Sequence, residues 1–181
     1  GVPFLGMIPA VPKGKDGPNP LIHVVGLSNF SEAFKTVRTN VLFSSAEDGV
    51  RSLVVTSASP GEGKSICSAN IAVAMAQAGM RVLLVDADMR RPRVQDYLEL
   101  PDGPGLSTYL IGECTLDGAI RRSGIQGLDV ITAGPIPPNP LELVESPRMA
   151  DLFAEARKRY DSIVVDASPM GLVSEFKIIM G

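Results

Sequence analysis

The sequence predicts a three-layer α/β/α fold around a mainly parallel central sheet, and two observations lead to this prediction. Short apolar runs rich in valine, leucine and isoleucine alternate with segments of helical periodicity. This alternation is typical of βαβ units, whose strands are buried on both faces. A glycine-rich loop, Ala58–Ser65, also lies between an apolar run and a helical segment. The chain has 181 residues, enough for one domain with a substantial core.

The first 30 residues are predicted to form an extended linker, because proline and glycine are frequent there. Ser31 is the predicted N-cap of a helix that runs to about Ser45. The apolar residues on one face of this helix are expected in the core: Phe34, Val37 and Val41. Residues 31–181 are assigned to a single domain.

Four apolar runs are predicted to be strands: Leu53–Val55, Val82–Val85, Leu128–Thr132 and Ser162–Val165. A helix is expected over Ile66–Ala78, with Gly79 at its C-terminus. A second helix is expected after Ser146, the predicted N-cap, because proline follows at the first helical position. Its inward residues are expected to be Leu152, Phe153 and Ala156.

The loop Ala58–Ser65 predicts a nucleotide-phosphate site of the P-loop NTPase type. It matches the pattern G-x-x-x-x-G-K-[ST], except that Ala58 replaces the first glycine. Lys64 would reach the β- and γ-phosphates of a nucleotide, and the Ser65 hydroxyl would hold Mg²⁺. The residues expected to bind the cofactor are Ser59, Pro60, Gly61, Glu62, Gly63, Lys64, Ser65 and Ile66.

Aspartates follow two of the other predicted strands. Asp86 and Asp88 come after Val82–Val85, and Asp166 comes after the last strand. Because ligands of parallel sheets bind beyond the carboxyl ends of the strands, these groups are expected beside the loop. Asp166 would bind Mg²⁺, and either Asp86 or Asp88 would supply a second carboxylate. The other would orient or deprotonate a nucleophile, although an aspartate at a strand end can also simply cap a helix.

Composition excludes several classes of function. The 17 basic and 20 acidic residues nearly balance and form no basic stripe, so a nucleic-acid partner is not expected. Cys67 and Cys114 lack the spacing of metal ligands and suit a reducing compartment. No apolar run approaches the length needed to cross a bilayer.

Taken together, the motifs resemble those of the bacterial tyrosine kinases that control capsule and exopolysaccharide export. Val82–Arg90 resembles their apolar strand followed by D-x-D-x-R, and Ile163–Pro169 resembles their Walker B strand followed by D-x-x-P. Glu32, Lys35 and Arg38 resemble the E-x-x-R-x-x-R helix through which members of the family pack into rings. The resemblance extends over nearly the whole chain, and family members continue beyond the position of its last residue.

The resemblance implies an ATP-dependent tyrosine kinase with ATP and Mg²⁺ as cofactors. Lys64 would bind phosphate, Asp86 would activate the tyrosine hydroxyl, and Mg²⁺ would be held by Ser65, Asp88 and Asp166. The implied partners are further copies of the chain and a membrane polysaccharide co-polymerase segment, either fused or separate. The implied location is the cytoplasmic face of the bacterial inner membrane, because a segment like Gly1–Pro9 follows the second membrane helix in fused members.

The sequence is also compatible with two other functions. A partitioning-type ATPase shares the fold but carries a lysine where this chain has Ser59. A non-catalytic ATP-binding scaffold of an export complex would need the loop but no transfer to tyrosine. The chain also departs from the family at Lys35, which replaces an arginine, and in Asp-Ala-Ser-Pro, where Asp-Thr-Pro-Pro is more usual.

Overall fold

The computed structural model describes residues 3–10, 21, 29–44 and 52–168. The strands are β1 (Ser52–Val55), β2 (Val82–Asp86), β3 (Ile120–Arg122), β4 (Leu128–Ile131) and β5 (Ser162–Asp166). The longer helices are α1 (Asn29–Phe43), α2 (Lys64–Gln77) and α7 (Pro147–Arg159). Short helices lie between them: α3 (Val94–Tyr97), α4 (Leu106–Leu110), α5 (Leu116–Ala119) and α6 (Pro140–Val144).

The strands form one five-stranded sheet in the order β1-β5-β2-β4-β3. All neighbouring pairs are parallel except β3 and β4, which are antiparallel. Asp166 at the end of β5 is in register with Val55 on one side and with Asp86 on the other. The carboxyl ends of β1, β5 and β2 therefore lie at one edge, which confirms the predicted fold class.

Successive side chains of each strand point to opposite faces of the sheet, and each face contributes to its own hydrophobic core. Leu84 and Val164 pack with α1 and α2 on one face, whereas Leu83 and Val165 pack with α4 and α7 on the other. Helix α2 is buried along most of its length and is rich in alanine and serine. Small side chains let this helix lie close against the strands. The expected inward residues of α1 and α7 are all buried.

Several predicted boundaries were wrong. Helix α1 begins at Asn29 rather than after Ser31, and Ser31 is buried in its first turn. The earlier start places the Phe30 ring edge-on to Phe34, with 5.0 Å between centroids, so packing extends the helix. Thr132 lies outside β4. Ser146 is the N-cap of α7, as expected, but its side chain makes no capping bond.

Five short elements were not predicted, because each is too short to show a period: β3, α3, α4, α5 and α6. Among residues 1–30, the described segment 3–10 has neither helix nor strand. Leu5 and Ile8 nevertheless pack against the α1–α2 core, and Asn40 of α1 donates to the Leu5 carbonyl. The expectations for Ser45 and Pro169 fall outside the described residues.

Candidate functional site

Lys64 connects the phosphate loop to the two other strand ends. Its ammonium nitrogen lies 2.6 Å from Asp166 Oδ1 and 3.3 Å from Asp88 Oδ2. All three side chains are buried, with Lys64 only 8% exposed. A buried cation between two buried carboxylates stabilises both of them, and removing it would leave their charges uncompensated. The structure thus brings together the three motifs that the sequence placed at strand ends.

Asp86 is fully buried at the end of β2. Its Oδ1 accepts from the Asp88 N–H at 3.1 Å, and its Oδ2 accepts from the Arg93 and Val94 N–H groups at 3.3 and 3.2 Å. Burial raises the pKa of Asp86 to about 8; the Asp166 charge adds to this, while the N–H groups of Val94 and Asp88 oppose it. Asp86 therefore holds the start of α3 and is poised to exchange a proton near neutral pH.

Asp166 is the most deeply placed carboxylate beside Lys64. Burial raises its pKa, and the ion pair with Lys64 opposes that rise. Its Oδ2 atom is buried and accepts no hydrogen bond within 3.5 Å from the part of the chain that the structure describes. A buried oxygen without a donor is costly, so this atom is available to a cation.

The residues present fit a magnesium site. Among the described residues, no three His, Cys, Asp or Glu side chains form a metal site by themselves. Mg²⁺ bound with a nucleotide usually takes only one or two carboxylates and completes its shell with phosphate oxygens and water. Ser65, Asp88 and Asp166 provide such a partial set of hard oxygen donors, of which the free Asp166 oxygen is the clearest.

The phosphate loop turns at two glycines. Gly61 and Gly63 both have φ of +84°, a conformation that side chains other than glycine rarely adopt. Ala58 has no positive φ, so the missing first glycine does not strain the loop. The Glu62 carboxylate accepts from the Ala58 and Ser59 N–H groups at 3.0 and 3.2 Å and thereby braces the loop. Ser59 to Glu62 are exposed, as a loop that receives a ligand requires.

Sequence reasoning missed one polar residue of this edge. The Ser168 hydroxyl donates to Asp88 Oδ1 at 3.1 Å, and the Ser168 carbonyl accepts from the Thr56 hydroxyl at 3.2 Å. Ser168 thus links the residues that follow β1, β2 and β5. The sequence did contain a signal for this residue, the departure Asp-Ala-Ser-Pro from the more usual Asp-Thr-Pro-Pro. Serine at position 168 offers a hydroxyl donor, whereas a proline there has neither a hydroxyl nor an N–H to donate.

The three charged residues of α1 behave differently from one another. Lys35 and Glu32 form an ion pair of 2.7 Å at the surface. Arg38 turns inward, where its guanidinium donates to the Ala74 carbonyl of α2 at 3.1 Å. Of the three residues that resemble the ring-forming helix, Glu32 and Lys35 therefore lie at the surface, whereas Arg38 is partly buried against α2.

Comparison with known proteins adds to this geometry. Residues 50–180 match a family model described as an AAA domain. The chain is 42% identical over 167 residues to the "Putative tyrosine-protein kinase CapB" of Staphylococcus aureus, covering 92% of this chain and 73% of that protein. It is 43% identical over 149 residues to tyrosine-protein kinase YwqD of Bacillus subtilis, covering 82% of this chain and 63% of that protein. The chain belongs to the bacterial tyrosine-protein kinase family.

Solved structures agree with this assignment to the tyrosine-protein kinase family. The chimerical protein CapA2B2 matches with a TM-score of 0.85 and 38% identity, covering 98% of this chain and 75% of that chain. The kinase domain of Escherichia coli tyrosine kinase ETK matches with a TM-score of 0.76 and 37% identity, covering 83% and 59% of the two chains. The septum site-determining protein MinD of Pyrococcus horikoshii, at 24% identity and a TM-score of 0.60, shares the fold.

The extent of the match differs among the relatives. The chain spans 73% of CapB but 20% of tyrosine-protein kinase etk of Escherichia coli, to which it is 38% identical. Within the described residues, no helix is both long and apolar enough to cross a membrane.

Proposed function

We propose that this chain is an ATP-dependent protein-tyrosine kinase domain that regulates the polymerisation and export of exopolysaccharide or capsule. The observation that carries the proposal is the position of Lys64 between Asp166 and Asp88, with Asp86 at the same sheet edge. Relatives named as tyrosine-protein kinases support tyrosine as the acceptor. One relative is named as lying "in cps region", which supports a role in polysaccharide synthesis.

Each site residue has one role in this proposal. Lys64 contacts the β- and γ-phosphates, and the loop from Ser59 to Ile66 surrounds them with backbone N–H groups. Ser65, Asp88 and Asp166 hold Mg²⁺, which supplies neutralisation of phosphate charge when it is bound. Positioning and charge neutralisation then account for most of the catalysis.

Asp86 accepts the proton of the tyrosine hydroxyl. A raised pKa, about 8 in the ligand-free chain, makes the Asp86 carboxylate a stronger base than an ordinary aspartate once it is ionised. Because Asp86 is fully buried and engaged by the N–H groups of Arg93 and Val94, the acceptor reaches it only when the loop before α3 opens. The loop between β2 and α3 is therefore part of the proposed acceptor site.

We also propose the partners of the chain and its location. The chain would self-associate in a ring through α1, with Glu32 and Lys35 exposed for contact and Arg38 holding α1 against α2. It would act with a membrane polysaccharide co-polymerase segment, fused or separate, at the cytoplasmic face of the inner membrane. Residues 1–30 would form the linker towards that segment, and residues 31–181 would form the kinase domain.

One observation favours a second candidate, an ATP-binding scaffold without transfer. Both carboxylate oxygens of Asp86 already accept backbone N–H groups, as they would in a purely structural role. The scaffold and the kinase differ in a single measurable property, the transfer of phosphate to tyrosine. A partitioning-type ATPase is less well supported, since the MinD likeness extends to the fold alone and Ser59 stands where those ATPases carry a lysine.

The test is incubation of the chain with Mg-ATP and a tyrosine-containing peptide, followed by detection of phosphotyrosine. Lys64→Met and Asp86→Asn are compared with the wild type, and binding of a fluorescent ATP analogue is measured in parallel. The kinase proposal expects phosphotyrosine only in the wild type, with nucleotide binding retained in Asp86→Asn. Nucleotide binding without phosphotyrosine in the wild type would favour the scaffold.

A further inference from the structure

Two arginines lie directly beside the candidate site without taking part in it. Arg90 and Arg91 follow Asp88 on the loop between β2 and α3, and both are exposed. Neither forms an ion pair with any residue that the structure describes. Arg93 on the same loop differs, because its guanidinium pairs with Asp96 at 3.2 Å.

The loop that carries these arginines is fixed at both ends by the site itself. The Arg91 N–H donates to Asp88 Oδ1 at 3.2 Å, and the Arg93 and Val94 N–H groups donate to Asp86 Oδ2. The Arg91 backbone is therefore anchored to Asp88, the proposed metal ligand, and this anchor does not depend on the bonds to Asp86 that open to admit the acceptor. Both arginines thus lie on the loop that the proposed function assigns to the acceptor site.

Charge complementarity indicates what this pair of guanidinium groups recognises. Lys64 already supplies a cation to the phosphates, and it is buried against Asp166 beside β1. The arginines follow β2, which β5 separates from β1, and both are exposed to solvent. Exposed guanidinium groups at the rim of a site attract carboxylate or phosphate groups and steer them towards it.

We propose that Arg90 and Arg91 form an acceptor-recognition pair that selects tyrosines flanked by anionic side chains. The proposal rests on the proposed kinase function and adds the chemical class of its peptide substrate. The anion beside the acceptor can be a glutamate or aspartate, or the phosphate of a neighbouring phosphotyrosine. Both present the oxygen geometry that a guanidinium fork binds.

A binding experiment tests the pair without requiring catalysis. Three fluorescent peptides carry phenylalanine in place of the acceptor tyrosine, flanked by glutamates, alanines or lysines, and a fourth has a phosphotyrosine neighbour. Binding to the full chain is followed by fluorescence anisotropy at low and high salt. The double variant Arg90→Ala/Arg91→Ala is compared with Arg122→Ala, which removes another exposed arginine. Arg122 is the strand partner of Asp129 near the start of β4, so it lies at the sheet edge opposite the candidate site.

The expected result is tight binding of the glutamate or phosphotyrosine peptide, weakened roughly tenfold in the double variant and at high salt. Arg122→Ala should bind like the wild type, and the lysine peptide should bind worst. Which of the two anionic peptides binds tighter identifies the source of the anion. Equal binding of all four peptides overturns the proposal. The proposal is also overturned if Arg90→Ala/Arg91→Ala loses affinity for the ATP analogue but not for the anionic peptides.

The failure of this proposal and the failure of the proposed kinase function are distinguishable. Arginine-dependent binding without phosphotyrosine formation would leave the acceptor pair in place and remove the kinase assignment. Transfer to tyrosine with no preference for anionic flanks would keep the kinase and remove the acceptor pair.

Discussion

The guanidinium of Arg38 donates a hydrogen bond to the carbonyl oxygen of Ala74, 3.1 Å away. Ala74 lies in the last turn of α2, whose final carbonyl groups lack partners within the helix. That turn contains no basic residue, so Arg38 also supplies the positive charge that favours a helix C-terminus. A residue of α1 therefore caps the helix that begins at Lys64.

Removal of this cap should destabilise the chain. We expect Arg38→Ala to lower the free energy of unfolding by about 1–2 kcal/mol, because it leaves a carbonyl group without its donor. Lys35→Ala is the matched control on the same helix; its exposed pair with Glu32 should contribute less than about 0.5 kcal/mol. Urea unfolding measures both, and equal effects would contradict the capping role.

Lys64 and Asp166 should be coupled in stability. Lys64→Met leaves two buried carboxylates without their cation, and we expect a loss of about 3 kcal/mol at neutral pH. Asp166→Asn in the Lys64→Met background should recover part of that loss, because one of the uncompensated charges is gone. Chemical unfolding of the two single variants and the double variant measures the coupling. Simple additivity would show that the ion pair does not stabilise the fold.

The raised pKa of Asp86 predicts a defined pH dependence for the nucleotide-free chain. In the folded state Asp86 holds its proton up to a pKa of about 8, against an ordinary value of 3.8. Its contribution to stability is therefore complete below pH 3.8 and is lost as the pH rises towards about 8. We expect Asp86→Asn to remove this loss, so that the variant gains stability relative to wild type as the pH rises.

Unfolding curves measured from pH 5 to about 9 in the presence of a chelator check this expectation. Glu32→Gln, which removes a surface carboxylate, serves as the control. Parallel pH profiles for wild type and Asp86→Asn would show that Asp86 is ionised throughout this range.

Ser168 should matter through Asp88. We expect Ser168→Ala to lower the affinity for the nucleotide in the presence of Mg²⁺ by about fivefold, because Asp88 loses a hydrogen-bond donor that orients it. Ser168→Thr keeps the hydroxyl and should restore binding. Titration of a fluorescent ATP analogue at varied Mg²⁺ measures the effect. An identical loss in the absence of Mg²⁺ would indicate a general structural role instead.

Gly105 should not accept a side chain. A Cβ atom there would lie 2.4 Å from the Thr132 carbonyl oxygen and 2.5 Å from the Gly134 nitrogen. Since both are backbone atoms, we expect Gly105→Ala to cost about 3 kcal/mol. Gly118→Ala in α5, where the nearest atom is the Thr115 hydroxyl at 3.4 Å, should change stability by less than about 0.5 kcal/mol. Thermal unfolding distinguishes the two.

The fold class, the four parallel strands and the three motifs at their carboxyl ends could all be predicted from the sequence. These features are local: a buried strand needs a run of branched apolar residues, and a phosphate loop needs its glycines and lysine in a fixed order. The family could be inferred for the same reason, since its motifs are short patterns within single segments.

The contacts between distant segments could not be predicted from the sequence. No local sequence pattern predicts that Arg38 donates to the Ala74 carbonyl, or that Ser168 donates to Asp88. The start of α1 at Asn29 depends on packing of Phe30 against Phe34, and β3 exists because β4 offers it a partner. Such contacts join residues far apart along the chain, so their energies follow from the folded arrangement rather than from any stretch of sequence.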